Sequence, residues 1–379
     1  MLFQPEVQEF LLVVIFFWLL INLLDRIIHL EQFGIKISFI FIKYESKRFR
    51  DLLYRSSQKG QRAWNFFSNL SVVLGAGLLG FAIYFLLNNI IQFVQPEGNG
   101  SPVIPILPGL TIHITWLPYF ILAFLVAAFT HEAAHGIVAR LEGIGLKSAG
   151  LFFLLVQPGG FVEPDEEDLR QASVVSKMRV LSAGSSMNLL VGFLVFLVLT
   201  AGFYEASSGI VIMEVLTDGP LEQAGLQRWD TIFAINGSQI ASSDELNSFM
   251  VGVVPGEKLV LSTNRGEVPI TASSHPSIPG KAIIGLTASM PYHQGRLSLG
   301  VYWDTQIYIL MSWMFLVLIN LAVINMLPIP FLDGDRFLRF FLQGYIKKDE
   351  WLGTFFNGVS LFLLVANMAL TLEHGLLSV

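Results

Sequence analysis

Six apolar runs of membrane-spanning length, at 7–24, 64–94, 115–139, 180–203, 305–327 and 351–373, constrain this chain more than any other feature. The bilayer core offers backbone groups no water, so such runs must satisfy their own hydrogen bonds as helices. Composition agrees: of 379 residues, 53% are hydrophobic and 14% charged, against about a quarter charged in soluble domains. A polytopic α-helical membrane protein of about six transmembrane helices is expected. The net charge of −6, with no basic stripe, leaves no footprint for nucleic acid. There is no cysteine, which removes disulfides, thiol catalysis and Cys–metal sites, so any metal must be held by His, Asp or Glu.

The charges flanking the runs set an orientation. No basic segment precedes the first run, as it would in a cleaved signal, and Arg26 follows it. An anchor is expected there, with its C-terminal end in the cytoplasm. Residues 26–62 hold Arg26, Lys36, Lys43, Lys47, Arg48, Arg50, Arg55, Lys59 and Arg62, and read as cytoplasmic by the positive-inside rule. Within them, Ile35–Ile42 partly alternates and is expected to be a short strand at the membrane surface. Gly75, Gly77 and Gly80 in the second run predict close helix packing. Residues 95–114 carry no Lys or Arg and read as an external loop. Residues 141–178 return to the cytoplasmic side. In them Ala149–Val156 is too short to cross, and Gln157-Pro158-Gly159-Gly160 breaks it, which predicts a β-hairpin dipping toward the membrane. The acidic run Asp165–Asp168 reads as a solvated helix start.

The composition turns polar at 205–292, with short β-like runs at 209–215, 231–235 and 258–263 and turn signals at Asn236-Gly237 and Pro255-Gly256. A small β-rich domain is therefore expected between spans, on the outside. The resulting division is an N-terminal anchor and basic segment (1–63), a membrane core in two parts (64–204 and 293–379), and the insertion (205–292).

The third run is uncharged from Trp116 to Phe129 and leads into His131-Glu132-Ala133-Ala134-His135. On a helix, residues four apart share a face, so both imidazoles can meet one metal ion, and Glu132 beside them can act as general base. Three ionisable groups in an apolar span are costly and point to a functional site. Arg140 follows His135 by five residues, which places the motif within about 10 Å of the cytoplasmic helix end. A catalytic zinc takes three protein ligands and keeps one position open. His29, His113, His275, His293 and His374 lie away from that depth. The fifth run also travels inward and ends in Asn325-Met-Leu-Pro328-Ile-Pro330-Phe-Leu-Asp333-Gly334-Asp335-Arg336. Its prolines break the helix, and broken backbone at membrane depth is tolerated where it is buried in protein or lines a wet cavity. Asp333 is the expected third ligand. Asp335 is expected to pair with Arg336 or to cap the next helix. Asn188, polar within the fourth run, reads either as an interhelical hydrogen bond or as a contact to the catalytic helix or the substrate.

Together His131-Glu-Ala-Ala-His135, Gly159-Gly-Phe-Val162, Ala183-Gly-Ser-Ser-Met-Asn188 and Asn325-Met-Leu-Pro328 with Leu332-Asp333-Gly334 resemble the site-2 protease family of intramembrane zinc metalloproteases, archaeal members among them. The likeness extends from about residue 64 to the end; the first span and basic segment lie outside it. The insertion resembles a PDZ domain through Gly209-Ile-Val-Ile, Ala224-Gly-Leu and Asp230 to Gly237. Trp229 stands where such domains usually have Gly, and Ser185 where relatives usually have Pro.

The resemblance implies Zn2+ held by His131, His135 and Asp333. It implies Glu132 as general base, and Asn188 or Asn325 at the oxyanion. The expected setting is the cell membrane, with the active site toward the cytoplasm and the PDZ-like domain outside. It implies membrane-anchored protein substrates in the lipid bilayer, trimmed beforehand by an upstream site-1-type protease. Two other readings compete. A catalytically silent adaptor or chaperone acting through the PDZ-like domain would not need the complete motif set. A metal transporter would need more polar residues along the spans and leaves Glu132 unexplained.

Overall fold

The computed structural model describes residues 5–95, 98–106, 111–346 and 350–374. Lys347 and Lys348, and parts of the 95–114 loop, lie outside these. Helix α1 (Pro5–Ile28) is followed by strands β1 (Ile35–Ser38) and β2 (Phe41–Glu45), then α2 (Lys47–Gln58), α3 (Gln61–Val94) and α4 (Leu117–Leu141). Strands β3 (Leu146–Leu154) and β4 (Gln157–Pro164) lead through α5 (Glu166–Gln171) into α6 (Val174–Gly202). A β-rich stretch contains β5 (Gly209–Val215), α7 (Pro220–Gln223), β6 (Thr231–Ile235), β7 (Ser238–Gln239), α8 (Ser243–Met250), β8 (Lys258–Thr263), β9 (Gly266–Thr271), β10 (Ser273–Ser274), β11 (Ala282–Ile283) and β12 (Leu286–Tyr292). Helices α9 (Val301–Ile324), α10 (Asp333–Tyr345) and α11 (Glu350–Glu373) follow.

Helices α1, α3, α4, α6, α9 and α11 are long and apolar enough to cross a membrane. Their ends differ from the apolar runs where charge is satisfied locally. α6 begins at Val174 rather than near 180, because the Arg179 guanidinium donates to Glu142 at 3.0 Å and to Asn69 at 2.5 Å. The chain divides into two compact units, Met1–Phe193 with Trp313–Val379, and Leu194–Ser312.

In the first unit the four hairpin strands form one antiparallel sheet in the order β1-β2-β3-β4. The stretch expected as a single strand at Ile35–Ile42 is a hairpin that turns at Phe39 and Ile40, and its second strand pairs Phe41–Glu45 with Leu154–Gly150. The break expected at Gln157 falls earlier, at Leu155, whose φ of 56° turns the chain. Pro158 and the two glycines lie within β4, the edge strand, where a missing N–H costs no ladder bond. α1 touches this sheet through Trp18, which is buried, donates to the Leu155 carbonyl at 2.8 Å and stacks on Phe153. Asp165 caps α5 by accepting from the amides of Glu167 and Asp168.

Helices α3, α4 and α6 meet through small residues. Ala134, Val138 and Ala139 of α4 pack with Phe67, Val180 and Ala183. A Cβ at Gly75 would lie 2.6 Å from the Ser182 Cβ, so this glycine sets the α3–α6 approach. Gly77 and Gly80 have nothing within 4 Å. The helical period turns them off the packed face, so the expectation of close packing holds at one of the three positions.

The second unit carries the sheet β12-β5-β6-β8-β9, with β7 on β6. β8 alternates between exposed and buried positions, and Leu259 and Leu261 join Ile210, Ile212, Ile232 and Ile235 in a fully buried core. Asn236-Gly237 makes its expected turn with both residues at positive φ. Trp229, at φ 76°, adopts the left-handed backbone its usual glycine would, held by its N–H to the Ile212 carbonyl at 2.9 Å.

Candidate active site

α4 carries His131 and His135 one helical turn apart and both buried. Their Nε2 atoms lie 3.0 Å from each other and 3.1 Å each from one Asp333 carboxylate oxygen. Asp333 reaches them because the α9 helix ends at Ile324 and an irregular segment carries the chain to α10. That turn closes with the Gly334 N–H donating to the Asn325 carbonyl at 2.8 Å. A Cβ at Gly334 would collide with the Met326 carbonyl oxygen and lie 2.6 Å from that of Leu327. Glycine after Asp333 is thus a requirement of close backbone approach.

The ring tautomers follow from what lies behind each imidazole. His135 Nδ1–H donates to the Val180 carbonyl at 2.6 Å, which leaves the Nε2 lone pair directed at the cluster. His131 Nδ1 faces the fully buried Asn188 amide at 3.5 Å, and the Asn188 oxygen accepts from Thr130 at 3.1 Å. Turned end for end, the amide oxygen accepts a hydrogen bond from Nδ1–H and the amide nitrogen donates to the Thr130 hydroxyl, which itself donates to the Val126 carbonyl at 2.9 Å. Every group is then satisfied with the His131 Nε2 lone pair free.

The space between the nitrogens is kept by Gly184. A Cβ there would sit 2.6 Å from His131 Nε2 and closer still to His135 Nε2. Three N and O donors around a place where no side chain can stand fit a small divalent cation of the zinc kind, which binds such donors at about 2.0–2.2 Å. His131, His135 and Asp333 form the one such group of His, Asp and Glu among the described residues. Glu132, one residue on, accepts the Val162 N–H from β4 at 2.9 Å.

Other residues singled out in the sequence fall as follows. Asp335 pairs with Arg339 at 2.7 Å, one turn along α10, rather than with Arg336. Asn325 Nδ2 is 3.4 Å from His131 Nε2, on the side of the ring that faces the cluster. Asn188 is behind that ring, so its interhelical hydrogen bond and its contact with the catalytic helix are one interaction. Gly184, the Val180 carbonyl and the Val162 amide were not anticipated. Val180, Gly184 and Asn188 are spaced four apart, so they form one stripe of α6 facing His135 and His131. Phe331, at φ 78° and with its side chain fully exposed, is a strained neighbour of Asp333.

Two helix histidines and a carboxylate converging among apolar helices define a membrane-embedded metallopeptidase. Sequence comparison specifies which kind. Residues 119–366 match the profile of peptidase family M50, and the chain belongs to that family, the metalloproteases of site-2 protease type. An uncharacterized protein of Methanocaldococcus jannaschii is 28% identical over 332 residues, 86% of this chain and 82% of its own. The zinc metalloprotease RasP of Geobacillus kaustophilus is 23% identical over 253 residues, 55% of this chain and 60% of its own. A membrane-bound transcription factor site-2 protease homolog of Arabidopsis thaliana is 25% identical over 151 residues, 38% of this chain and 29% of its own.

Proposed function

We propose that His131, His135 and Asp333 hold one Zn2+ and that the chain cuts membrane-anchored protein substrates within or near their spanning helices. The convergence of three donor atoms on the gap opposite Gly184 carries this reading. When bound, zinc would polarise the scissile carbonyl and acidify the attacking water. Glu132 takes the proton from that water and passes it to the leaving amine. The Val162 N–H holds one Glu132 oxygen and leaves the other for the water. Asn325 is the oxyanion donor, because its amide lies on the open side of His131. Asn188 is a positioning residue for the His131 ring, a revision of its expected oxyanion role.

A substrate helix has its backbone bonds satisfied and must unwind before it is cut. β4 is an edge strand running beside Glu132, which takes its Val162 N–H, and the rest of that edge offers an extended segment a strand to pair with. Residues 205–292 form a PDZ-like domain that excludes substrates with bulky ectodomains or takes a newly exposed C-terminus. The site faces the cytoplasm of the cell membrane and the PDZ-like domain lies outside. An upstream site-1-type protease trims the substrate first.

The test is cleavage of a labelled, pre-trimmed single-span substrate in proteoliposomes by wild type and by Glu132→Gln. Wild type should cut within the span and stop with a zinc chelator. The variant should lose about two to four orders of magnitude while keeping its metal. Equal cutting by both proteins overturns the reading.

A further inference from the structure

Away from the metal cluster, helix α2 lies along the far end of α4. The buried Leu53 seats it there, packed against Ile137, and a Cβ at Gly136 would lie 2.7 Å from a Leu53 methyl. Between the two helices is a cavity of about 200 Å³ lined by Arg50, Asp51, Tyr54, Arg140 and Leu146. Arg140 is the penultimate residue of α4, five beyond His135. Its Nε is buried without a hydrogen-bond partner, and its guanidinium lies 5.0 Å over the Tyr54 ring. Arg50 spends one N–H on the Lys147 carbonyl at a long 3.4 Å. Neither arginine forms an ion pair among the described residues, and Asp51, which lines the same cavity, forms none either. Arg50 and Arg140 line the cavity with a single carboxylate, Asp51, which pairs with neither, so the demand that planar, bidentate donors place on an oxyanion is unmet.

We propose that this pocket binds the phosphate of an anionic membrane lipid. The surroundings favour a lipid over free phosphate. The pocket stands at the end of an apolar membrane-length helix, the level at which headgroups lie. α2 is amphipathic and basic, with Lys47, Arg48, Arg50 and Arg55 against the single acid Asp51. Its Leu52 and Tyr54 are exposed beside those charges, the composition of a helix lying in an anionic interface. The headgroup phosphate accepts from Arg50 and Arg140 and ties α2 to α4. Because α4 continues from Arg140 to His135 without a break, lipid occupancy steadies the helix that presents both metal-ligating histidines.

The test uses the full chain purified in a neutral detergent, in three arms: phosphatidylglycerol, phosphatidylcholine, and inorganic phosphate at the same phosphate concentration. Apparent Tm and lipid retained through gel filtration are read together. Phosphatidylglycerol should raise Tm by a few degrees and co-elute with the protein; phosphatidylcholine should do neither. Arg50→Gln with Arg140→Gln should abolish both effects, while Arg62→Gln, an exposed charge outside the pocket, should keep them. Arg140→Lys keeps the charge but not the fork and should retain less lipid than wild type. If the paired variant does not fold, Arg50→Gln alone must still weaken retention. An equal rise with inorganic phosphate assigns the pocket to a free anion and overturns the lipid. Equal retention by wild type and the Arg50 variant, or equal effects of the two lipids, overturns the site.

Discussion

Replacing Gly184 by Ala tests the metal centre without touching any ligand. The added Cβ would meet His131 Nε2 at 2.6 Å, where ordinary contact begins at 3.4 Å. The His131 nitrogen would have to retreat by about 0.8 Å (3.4 less 2.6) and the His135 nitrogen by more, in a site where a shift near 1 Å costs about 100-fold in rate. His135 cannot retreat freely, since its Nδ1–H is tied to the Val180 carbonyl, one turn earlier on the same helix as the new methyl. The methyl would also occupy the position, about 2 Å from each nitrogen, that an ion needs. The variant should therefore fold, at a cost of about 1–3 kcal/mol for overpacking, and bind zinc at least about 100-fold more weakly. Gly77→Ala, also on a membrane helix but with nothing within 4 Å, is the control and should behave as wild type. Metal content by mass spectrometry, zinc affinity by chelator competition and apparent Tm read the three quantities. One tightly held zinc per chain in Gly184→Ala, with unchanged cleavage, would refute the placement of the ion between these nitrogens.

Further outcomes follow from the same geometry. Asn188→Ala should weaken zinc binding about 10–100-fold in chelator competition, because His131 loses the group behind its Nδ1; Asn188→Asp, which keeps an acceptor, should recover most of it. Gly334→Ala should push a methyl into the Met326 and Leu327 carbonyls, displace Asp333 and lower metal content, measured on the purified protein. Zinc occupancy should fall as the pH drops. The ligating histidines must be neutral, so protons compete with the ion, and a fluorescent zinc indicator in a pH titration reads the release. Phe331→Gly should stabilise the fold by up to about 1 kcal/mol of relieved left-handed strain, read as a higher apparent Tm, since the fully exposed ring has no packing to lose.

The sequence disclosed most about groups whose chemistry is costly where they stand. His131, Glu132 and His135 interrupt an uncharged run, and Asp333 follows a proline-broken helix at the same depth, so expense and topology marked them together. The spans were legible for the same reason, and their ends less so. Hydropathy is blind to a charge that is paired, as Arg179 is with Glu142, and so it starts α6 too late. The sheet beside the site was harder to read. β1 and β2 are short strands with no fully buried position, so their alternation is diluted. The union of Phe41–Glu45 with Leu154–Gly150 joins segments about a hundred residues apart, and no local pattern records it.

What completes the site is nearly all backbone. The Val180 carbonyl sets one imidazole, the Val162 amide holds the base, and Gly184 contributes the lack of a side chain. The first two have no residue type to betray them, since nearly any residue supplies a carbonyl or an amide, and a glycine is too common in membrane helices to stand out. Their trace is spacing instead. Val180, Gly184 and Asn188 repeat every four residues along α6, antiparallel to the four-residue step from His131 to His135 on α4. A carbonyl, a gap and an amide therefore arrive opposite two imidazoles in order. The same spacing explains why the three positions differ in tolerance. Position 180 can hold any side chain that packs, 188 needs an acceptor, and 184 can hold nothing larger than hydrogen.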